Sequence, residues 1–278
     1  MKFTKMHGAG NDYIYIDCFT QDVENPKDLS KFLSDRHFGV GADGIVLKKP
    51  SPVADCFMDI YNADGSRAKM CGNAIRCVAK YIYDNKKKKQ VIKIDTLSGI
   101  KLVEVYIENG FVVGGKVNMG KPIFNGRQIP TRYGDSIVKN KIINIENNDY
   151  EITCVSMGNP HCIVFHKNIH KLNLEKIGPL FENHEMFPER INTEFIEIID
   201  EKTLKMRVWE RGSGETLACG TGACAVAVAS VVNGFCEKDN DIKIHTKGGD
   251  LIVKWHKNDN VYLSGGAVEA FKGEIHIA

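Results

Sequence analysis

The sequence predicts an α+β protein built from two pseudo-symmetric domains, each a mixed β-sheet wrapped around a central helix. The first observation is an internal repeat, because shifting the sequence by 148 positions aligns three short motifs in one ungapped register. The second is that apolar strand-like and helix-like segments follow one another in the same order in each half. The aligned motifs are Gly10-Asn11 with Gly158-Asn159, Tyr61-Asn62 with Trp209-Glu210, and Cys71-Gly72-Asn73 with Cys219-Gly220-Thr221.

The first half alternates short strands with helices. Pro26 to His37 has the pattern of a helix, and Asn73 to Tyr83 has the pattern of a second one. The corresponding helix of the second half, Gly222 to Val232, is apolar on every side, which is typical of a helix buried on all faces. The predicted strands are rich in aliphatic and aromatic residues and comprise Lys2 to His7, Asp12 to Asp17, Ile45 to Lys49 and Cys56 to Asn62.

Two-stranded segments close each half. Lys101 to Lys116 turns at Asn109-Gly110, a strong hairpin signal, and Leu251 to Leu263 turns near Asn258. A Gly and a Pro interrupt the pattern at Met119-Gly120-Lys121-Pro122, which predicts a domain boundary there.

Composition excludes several classes of function. The 278 residues carry 37 Lys and Arg against 35 Asp and Glu, a net charge of +2, so no basic surface for nucleic acid is expected. The longest apolar stretch, Ala223 to Val232, is about half the length of a membrane span. Polar residues interrupt the first 17 positions, so we expect no signal peptide and a cytoplasmic protein.

A glycine-rich segment, Gly39 to Gly44, has the G-x-G-x-x-G spacing of a dinucleotide-binding loop. Such a loop must follow a strand and open a helix. Here the order is reversed, because the segment follows a predicted helix and opens a predicted strand. It is therefore interpreted as a tight helix-to-strand connection.

The nine cysteines have an odd count and no C-x-x-C spacing, which argues against both a disulfide framework and a zinc site. We therefore expect all nine cysteines to be thiols, and most of them to pack in the core as small apolar residues. Two differ, Cys71 and Cys219, because each precedes Gly at the start of an apolar helix. The remaining cysteines are interpreted as packing residues, namely Cys18, Cys56, Cys77, Cys154, Cys162, Cys224 and Cys236.

A thiol at a helix start suits acid-base chemistry. The helix dipole and the unsatisfied backbone N–H groups lower a cysteine pKa from about 8.5 toward neutrality, and the same N–H groups bind a carboxylate. If the pseudo-two-fold brought Cys71 and Cys219 to opposite faces of one carbon, one thiol would remove the α-proton and the other would deliver a proton. This two-base racemase scheme requires neither cofactor nor metal. The alternative is a pair of packing cysteines retained from a duplication.

The residues around these cysteines resemble a known family. Asn62-Ala63-Asp64-Gly65-Ser66, followed four residues later by Cys71-Gly72-Asn73-Ala74-Ile75-Arg76, is similar to a signature of diaminopimelate epimerase. The segments Glu210 to Thr216 and Ala218 to Gly222 resemble its second active-site motif. The opening His7 to Asp12 and the central Met157 to His161 also match, so the resemblance covers essentially the whole chain.

The resemblance implies inversion of L,L-diaminopimelate to the meso form for lysine and cell-wall precursor biosynthesis, without a cofactor or a metal. It assigns Cys71 as proton donor and Cys219 as acceptor in one direction; the physical argument alone leaves the ionised thiol unassigned. His161 and Glu210 match positions that tune the thiols. The positions that match substrate contacts are Asn11, Asn62, Gly72, Asn73, Asn159, Asn192, Glu210, Arg211, Gly220 and Thr221.

The family's domain organisation implies that the last strand, Glu269 to Ile277, returns to the first domain. The expected domains are therefore residues 1–118 with 264–278 and residues 119–263, and the family commonly forms homodimers. Arg211 suits a distal carboxylate and Glu210 a distal ammonium. One departure is Gly44, since some members carry at this position a Gln that faces the distal end of the substrate.

Two rival functions remain. A proline racemase-like enzyme shares paired cysteines, but its cyclic substrate has no second charged end for Arg211. A non-catalytic amino-acid binding protein would use the asparagines and Arg211, yet would have no need of two activated thiols.

Overall fold

The computed structural model describes residues 1–276 and divides the chain into two compact units. The first unit is Met1–Asn118 with Ser264–Ala278, and the second is Met119–Leu263. The predicted final strand reaches Ile277, which, with Ala278, lies outside the described residues.

The first unit is a mixed sheet with two helices packed on it. In chain order its elements are β1 (Lys2–Gly8), β2 (Asn11–Asp17), α1 (Pro26–Ser34), β3 (Gly44–Lys49), β4 (Cys56–Asn62), β5 (Arg67–Ala68), α2 (Gly72–Asn85), β6 (Val91–Asp95), β7 (Lys101–Glu108), β8 (Phe111–Gly120) and the last strand of the chain, β18 (Val268–Glu274).

The second unit repeats this order. Its elements are β9 (Lys141–Ile145), β10 (Asn148–Ser156), β11 (Pro160–Phe165), a short 3-10 helix (Ile169–Lys171), α3 (Leu174–Glu182), β12 (Asn192–Asp200), β13 (Thr203–Glu210), β14 (Gly214–Thr216), α4 (Gly220–Val232), β15 (Asp241–Thr246), β16 (Gly249–Trp255) and β17 (Val261–Gly266).

Strand pairing is the same in both units. In the first, β1–β2, β3–β4 and β6–β7 are antiparallel, whereas β2–β3 and β4–β6 are parallel. In the second, β10–β11, β12–β13 and β15–β16 are antiparallel, whereas β11–β12 and β13–β15 are parallel. The offset of 148 residues also maps both ends of α1 onto the ends of α3 and the start of α2 onto the start of α4. The predicted α+β class with two related mixed sheets is confirmed.

Each sheet wraps around one helix. Every residue of α4 from Gly222 to Ser230 is buried, as its uniformly apolar sequence predicts, and the helix packs against β10, β11, β12 and β16. In the first unit, α2 packs against β1, β2, β4, β6 and β7. Because these helices are central, the residues at their N-termini are held by the cores of their units.

One helical prediction is wrong in its end point, and one helix was not predicted. The first helix ends at Ser34 rather than His37, because the Asp35 carboxylate accepts the backbone N–H groups of His37 and Phe38 at 2.7 and 2.8 Å and turns the chain. Helix α3 was not predicted, since Pro179 lies inside it and interrupts its pattern. Among residues 1–276 no helix has the length and apolarity that crossing a bilayer requires.

The predictions for the glycine-rich segment and for the cysteines are confirmed. The glycine-rich segment Gly39 to Gly44 connects α1 to β3, so it is a helix-to-strand connection and not a dinucleotide loop. All nine cysteines lie within the described residues and all are thiols.

Candidate functional site

The first-unit thiol caps a helix. Cys71 is the N-cap of α2, and its Sγ accepts the backbone N–H of Ala74 at 3.5 Å. The thiol also donates to Oδ1 of Asn11 at 3.3 Å. Cys71 is partly exposed, unlike most cysteines of the chain. The structure therefore places a reachable thiol at the positive end of α2, beside an amide oxygen.

The Asn11 side chain has a defined orientation. Its Nδ2 donates to Oδ2 of Asp43 at 2.7 Å, and the same carboxylate accepts the backbone N–H of Asp12 at 3.1 Å. Arg36 donates to the other Asp43 oxygen at 3.0 Å. A carboxylate can only accept, so Asp43 fixes the Asn11 nitrogen toward itself and leaves the Asn11 oxygen for Cys71.

The other predicted first-unit residues lie on the same elements. Gly72 and Asn73 form the first turn of α2, where Arg76 donates to the Gly72 carbonyl at 2.8 Å and to Oδ1 of Asn73 at 3.0 Å. Asn62 is the last residue of β4, and its Nδ2 donates to Oγ of Ser66 at 3.0 Å. The contacts of Asn62 thus belong to the turn after β4 rather than to the Asn11–Cys71 pair.

The second-unit thiol occupies the equivalent position. Cys219 is the N-cap of α4, and its Sγ accepts the backbone N–H of Gly222 at 3.4 Å. Oγ1 of Thr221 lies 3.5 Å from the same sulfur, and Gly220 is the first helical residue. The predicted placement of both thiols at helix starts is confirmed.

The predicted lowering of the cysteine pKa is wrong for Cys219. Burial raises the pKa of this thiol well above its ordinary value, and the carboxylates of Glu210 and Glu194 raise it further. The hydrogen bonds from Thr221 and the Gly222 N–H lower the pKa, but their effect is smaller. Desolvation and two nearby negative charges outweigh the helix dipole here, so the Cys219 thiol is protonated.

Glu210 is half-buried at the end of β13, beside this thiol. Burial raises its pKa, whereas hydrogen bonds from Thr216 and from the Cys219 thiol lower it. The Thr216 hydroxyl donates to Oε1 of Glu210 at 2.5 Å. Glu210 and Cys219 therefore affect each other's pKa: the thiol donates to the carboxylate, and the carboxylate raises the pKa of the thiol.

His161 lies in a chain of hydrogen-bonded polar groups. Its Nδ1 is 2.7 Å from Oε1 of Glu194, and both side chains are completely buried. Its Nε2 is 3.1 Å from Oδ1 of Asn159. His161 and Glu194 lie on adjacent parallel strands, β11 and β12. The chain therefore runs from Glu194 through His161 to Asn159.

Asn192 and Arg211 are joined directly. Oδ1 of Asn192 accepts the backbone N–H of Arg211 at 2.9 Å, and its Nδ2 donates to the carbonyl of Pro160 at 2.9 Å. Nη1 of Arg211 donates to the carbonyl of Glu189 at 2.8 Å. Asn192 thus holds the backbone from which the Arg211 guanidinium extends.

Three carboxylates that contact predicted site residues or their neighbours were not predicted, one in the first unit and two in the second. Asp43 orients Asn11, Glu194 binds His161, and Glu182 of α3 accepts from the Trp209 indole at 2.7 Å and from the Gly212 N–H at 2.9 Å. The repeat does not reveal Asp43 or Glu194, because Ile191 and Val46 stand at the corresponding positions. Glu182 is the last residue of α3. Adding the offset of 148 residues to α1 would have located this helix.

No metal-binding arrangement occurs in the described part of the chain, where no group of three or more His, Cys, Asp and Glu side chains is placed to hold an ion. The polar groups near the thiols instead bind one another and the starts of α2 and α4.

Comparison with known proteins gives one family. The diaminopimelate epimerase family model matches residues 3–125 and 153–270. Diaminopimelate epimerases of Methanococcus maripaludis strain C5 and Acetivibrio thermocellus are 56% and 53% identical to the chain over 279 residues. Each alignment covers 100% of this chain and at least 99% of the relative.

Solved structures with the same fold are more distant in sequence. A Bacillus anthracis phenazine biosynthesis protein of the PhzF family matches with a TM-score of 0.73 at 17% identity, covering 100% of this chain and 99% of its own. A probable proline racemase from Agrobacterium radiobacter matches with a TM-score of 0.70 at 12% identity, covering 100% and 93%. These likenesses concern the fold, whereas the sequence matches extend over the full length at more than half identical residues. The chain belongs to the diaminopimelate epimerase family.

Proposed function

We propose that this protein is a cofactor-independent isomerase that inverts one α-carbon of L,L-diaminopimelate to give the meso isomer, with Cys71 and Cys219 as the acid-base pair. The role would be the supply of lysine and of cell-wall precursor. The observation that carries the proposal is that both thiols are N-caps of corresponding helices, each accepting a backbone N–H of its own first turn.

The chemistry balances with two thiols alone. One sulfur, as thiolate, takes the α-proton, and the electron pair of the broken C–H bond delocalises into the carboxylate. The other thiol then gives its proton to the opposite face of the carbon. N–H groups at the helix starts, at Gly72 and Asn73 and at Gly220 and Thr221, stabilise the charge that builds on the carboxylate.

Glu210 supplies a route to ionise Cys219. The thiol is protonated by virtue of its raised pKa, and it donates to a carboxylate whose pKa is also raised. Transfer of the thiol proton to Glu210 produces thiolate and carboxylic acid, so the number of negative charges does not increase. In this proposal Glu210 is the base that prepares Cys219 as proton acceptor, and His161 lowers the pKa of Glu210.

The unreacting end of the substrate carries a carboxylate and an ammonium. The Arg211 guanidinium provides the donors that a carboxylate requires, and Asn192 holds its backbone. Asn62 and Asn159, each at the end of a strand or in the following turn, offer amide groups suited to either charged group. Asn11, paired with Cys71, would contact the reacting centre.

Incubation with L,L-diaminopimelate followed by separation of stereoisomers tests the activity. In D₂O, product isolated early should carry deuterium at the inverted centre, while recovered substrate stays largely unlabelled, because each face is served by its own thiol. Equal early labelling of substrate and product would show a single base serving both faces and would exclude the two-thiol mechanism. Cys71→Ala and Cys219→Ala should each abolish inversion.

A proline racemase-like activity is the second candidate, favoured by the fold shared with the probable proline racemase. Turnover of free proline with no turnover of diaminopimelate would support it. Binding of an amino acid without exchange of its α-proton would instead indicate a non-catalytic binding protein.

We further propose that the protein is cytoplasmic and forms a homodimer in solution. β18 exposes Val268 and Phe271, two apolar side chains that a partner copy would cover. Light scattering of the purified protein distinguishes a dimer from a monomer.

A further inference from the structure

Arg76 belongs to the sequence motif around Cys71, yet the proposed function gives it no role. Its side chain is completely buried, so its N–H groups require acceptors inside the protein. Nη1 donates to the Gly72 carbonyl at 2.8 Å and Nη2 to Oδ1 of Asn73 at 3.0 Å. Nε donates to the carbonyl of Gly266, which belongs to the same unit, at 3.3 Å. Arg76 thus ties the first turn of α2 to the end of β17.

The chain leaves room for this guanidinium at Gly8, the last residue of β1. A Cβ atom on Gly8 would lie 3.1 Å from Nη2 of Arg76 and 3.1 Å from the carbonyl oxygen of Asn73. A side chain at Gly8 would therefore press on the contact between Arg76 and Asn73. The backbone of β1 closes over the guanidinium, so packing holds Arg76 against the first turn of α2.

The contact also fixes the orientation of the Asn73 amide. The arginine side chain has donors only, so the Asn73 oxygen faces Arg76 and the Asn73 nitrogen points away from it. Asn73 is buried, which makes the loss of a partner for that oxygen costly. An asparagine oxygen at a helix start otherwise commonly accepts backbone N–H groups of the first turn. By holding the oxygen, Arg76 keeps it away from the N–H groups of Gly72 and Asn73.

The second unit is built differently at the corresponding positions. The offset of 148 residues places Cys224 at the position of Arg76 and Thr221 at that of Asn73. A thiol cannot reproduce the two-pronged donation of a guanidinium. The Thr221 hydroxyl lies 3.5 Å from the Cys219 sulfur. A first turn held by arginine is thus particular to the first unit.

We propose that Arg76 is a positioning residue: by holding the Gly72 carbonyl and the Asn73 side-chain oxygen, it keeps the N–H groups of Gly72 and Asn73 directed at the α-carboxylate of the substrate. The ligand rests on the proposed function, whereas the hold on the first turn does not. Without Arg76, the released Asn73 oxygen would turn to the first-turn N–H groups and compete with the carboxylate. The same competition would weaken the stabilisation that these N–H groups give to a Cys71 thiolate.

The first test is kinetic. Arg76→Met removes the donors from a long side chain and should lower kcat/KM for L,L-diaminopimelate about 100-fold, because misplaced N–H groups hold the carboxylate poorly. Arg76→Lys should recover less than about threefold of that loss, since one ammonium cannot reproduce the fork that holds two oxygens. A near-normal kcat/KM for Arg76→Lys would show that a positive charge suffices and would overturn the positioning role.

Ile82→Ala is the matched control for loss of stability. Ile82 is buried in the last turn of α2, and its truncation destabilises the helix without touching the first turn. This variant should keep kcat/KM within about twofold, whereas a merely structural role of Arg76 would give Arg76→Met the same mild effect. In an Asn73→Ala background, Arg76→Met should cost at least about tenfold less than in the wild type, because the competing oxygen is gone. Full additivity of the two substitutions would contradict the proposal.

The second test does not depend on the reaction. Iodoacetamide labelling followed by peptide mass spectrometry measures the alkylation rate of Cys71 in the full chain at neutral pH. The rate should fall at least about fivefold in Arg76→Met and in Arg76→Lys, which keeps the charge but loses the two contacts. Ile82→Ala should change the rate less than about twofold. An unchanged Cys71 rate in both Arg76 variants would overturn the hold on the first turn, whatever the protein catalyses.

The outcomes separate this proposal from the proposed function. Absence of turnover by the wild type would refute the proposed function and leave the Cys71 rates to decide the role of Arg76. Normal wild-type turnover with unchanged kinetics of Arg76→Lys would keep the epimerase and exclude the positioning role. If Arg76→Met does not fold, Arg76→Lys supplies both measurements, and wild-type values in it would again overturn the proposal.

Discussion

A Cβ atom on Gly44 would lie 2.2 Å from the carbonyl oxygen of Tyr61. The two residues stand on the paired strands β3 and β4, where Gly44 lies opposite Asn62. The same Cβ would come within 3.0 Å of the Asn62 Cα. Glycine at this position is therefore a requirement of the local backbone, and a side chain at this point would displace β4 just where Asn62 ends it.

Gly44→Gln should consequently impair the protein instead of adding a contact to the distal end of the substrate. We expect a loss of about 1–3 kcal/mol in the free energy of unfolding, because overpacking forces the backbone to shift. Gly44→Ala should cost nearly as much, since the clash involves Cβ alone. Urea denaturation measures both.

Gly266→Ala is the matched control, because its nearest atom, the Val113 carbonyl oxygen, lies 3.8 Å from the added Cβ. It should change stability by less than about 0.5 kcal/mol. A Gly44→Gln variant as stable as the wild type with a lower KM would show that β4 adapts and that this side chain reaches the substrate.

The repeat made most of the fold predictable, because an ungapped offset transfers each element of one half to the other. Helix α3 shows where pattern alone failed: Pro179 breaks its periodicity, yet α1 lies 148 residues earlier. The thiols were located correctly because a Cys-Gly pair before an apolar run predicts an N-cap. Glu194 could not be predicted from the sequence, because its partner, His161, is 33 residues away and only the parallel pairing of β11 and β12 brings them together.

The raised pKa of Cys219 cannot be predicted from the sequence, and the reason is physical. The helix dipole can be inferred from sequence, whereas desolvation and the approach of Glu210 and Glu194 depend on tertiary packing. Asp43, which orients Asn11, is likewise 32 residues away from it in the sequence. Charges gathered from separate elements therefore determine the chemistry of the site more than the local motif does.

Glu210→Gln should change the reactivity and the catalytic role of Cys219 in opposite directions. The Glu210 carboxylate raises the pKa of the thiol, so removing its charge should lower that pKa and increase the thiolate fraction at pH 8. A fall of one unit makes alkylation about tenfold faster. Turnover should nevertheless fall by about 100-fold, because the proposed acceptor of the thiol proton is gone.

Iodoacetamide labelling followed by peptide mass spectrometry measures the Cys219 rate across pH 6 to 10. Glu215→Gln is a suitable control, since that carboxylate pairs with Arg207 at 2.8 Å. Slower alkylation in Glu210→Gln would mean that this carboxylate activates the thiol in the free enzyme, contrary to the raised pKa.

Arg211→Ala should damage the chemical step as well as binding. Its guanidinium is the proposed contact of the distal carboxylate, and remote binding positions the reacting carbon. We expect kcat/KM to fall by about 100-fold to several thousandfold, corresponding to roughly 3–5 kcal/mol. Arg211→Lys should restore little, because an ammonium cannot make a two-pronged contact.

Steady-state kinetics on L,L-diaminopimelate measure the Arg211 effect. Arg127→Ala removes an exposed arginine paired with Asp135 and should leave kcat/KM within about twofold. The alkylation rate of Cys219 should be unchanged in Arg211→Ala, because the contacts of its sulfur with Gly222 and Thr221 do not involve Arg211. Near-normal turnover of Arg211→Ala would place the distal carboxylate elsewhere.

Lys48 should make stability depend on pH. The side chain is completely buried on β3, with Nζ 3.1 Å from the centre of the Tyr81 ring, and burial lowers its pKa to about 7. Unfolding restores the ordinary pKa near 10.4. Below pH 7 both states bind the proton and the full destabilisation is present. Between pH 7 and about 10.4 only the unfolded state keeps the proton, so the free energy of unfolding contributed by this group rises with pH.

Lys48→Met should remove this dependence and stabilise the protein most at low pH, by on the order of 3 kcal/mol at pH 6, with a smaller gain at pH 8.5. The difference between variant and wild type, measured by urea denaturation at each pH, isolates Lys48 from the other groups that titrate. Lys93→Met, on the exposed side of β6, should change stability by less than about 0.5 kcal/mol at every pH. A gain for Lys48→Met that is the same at pH 6 and pH 8.5 would show that Lys48 keeps its charge in the folded protein, held by the Tyr81 ring and by Asp17, whose charge raises the Lys48 pKa.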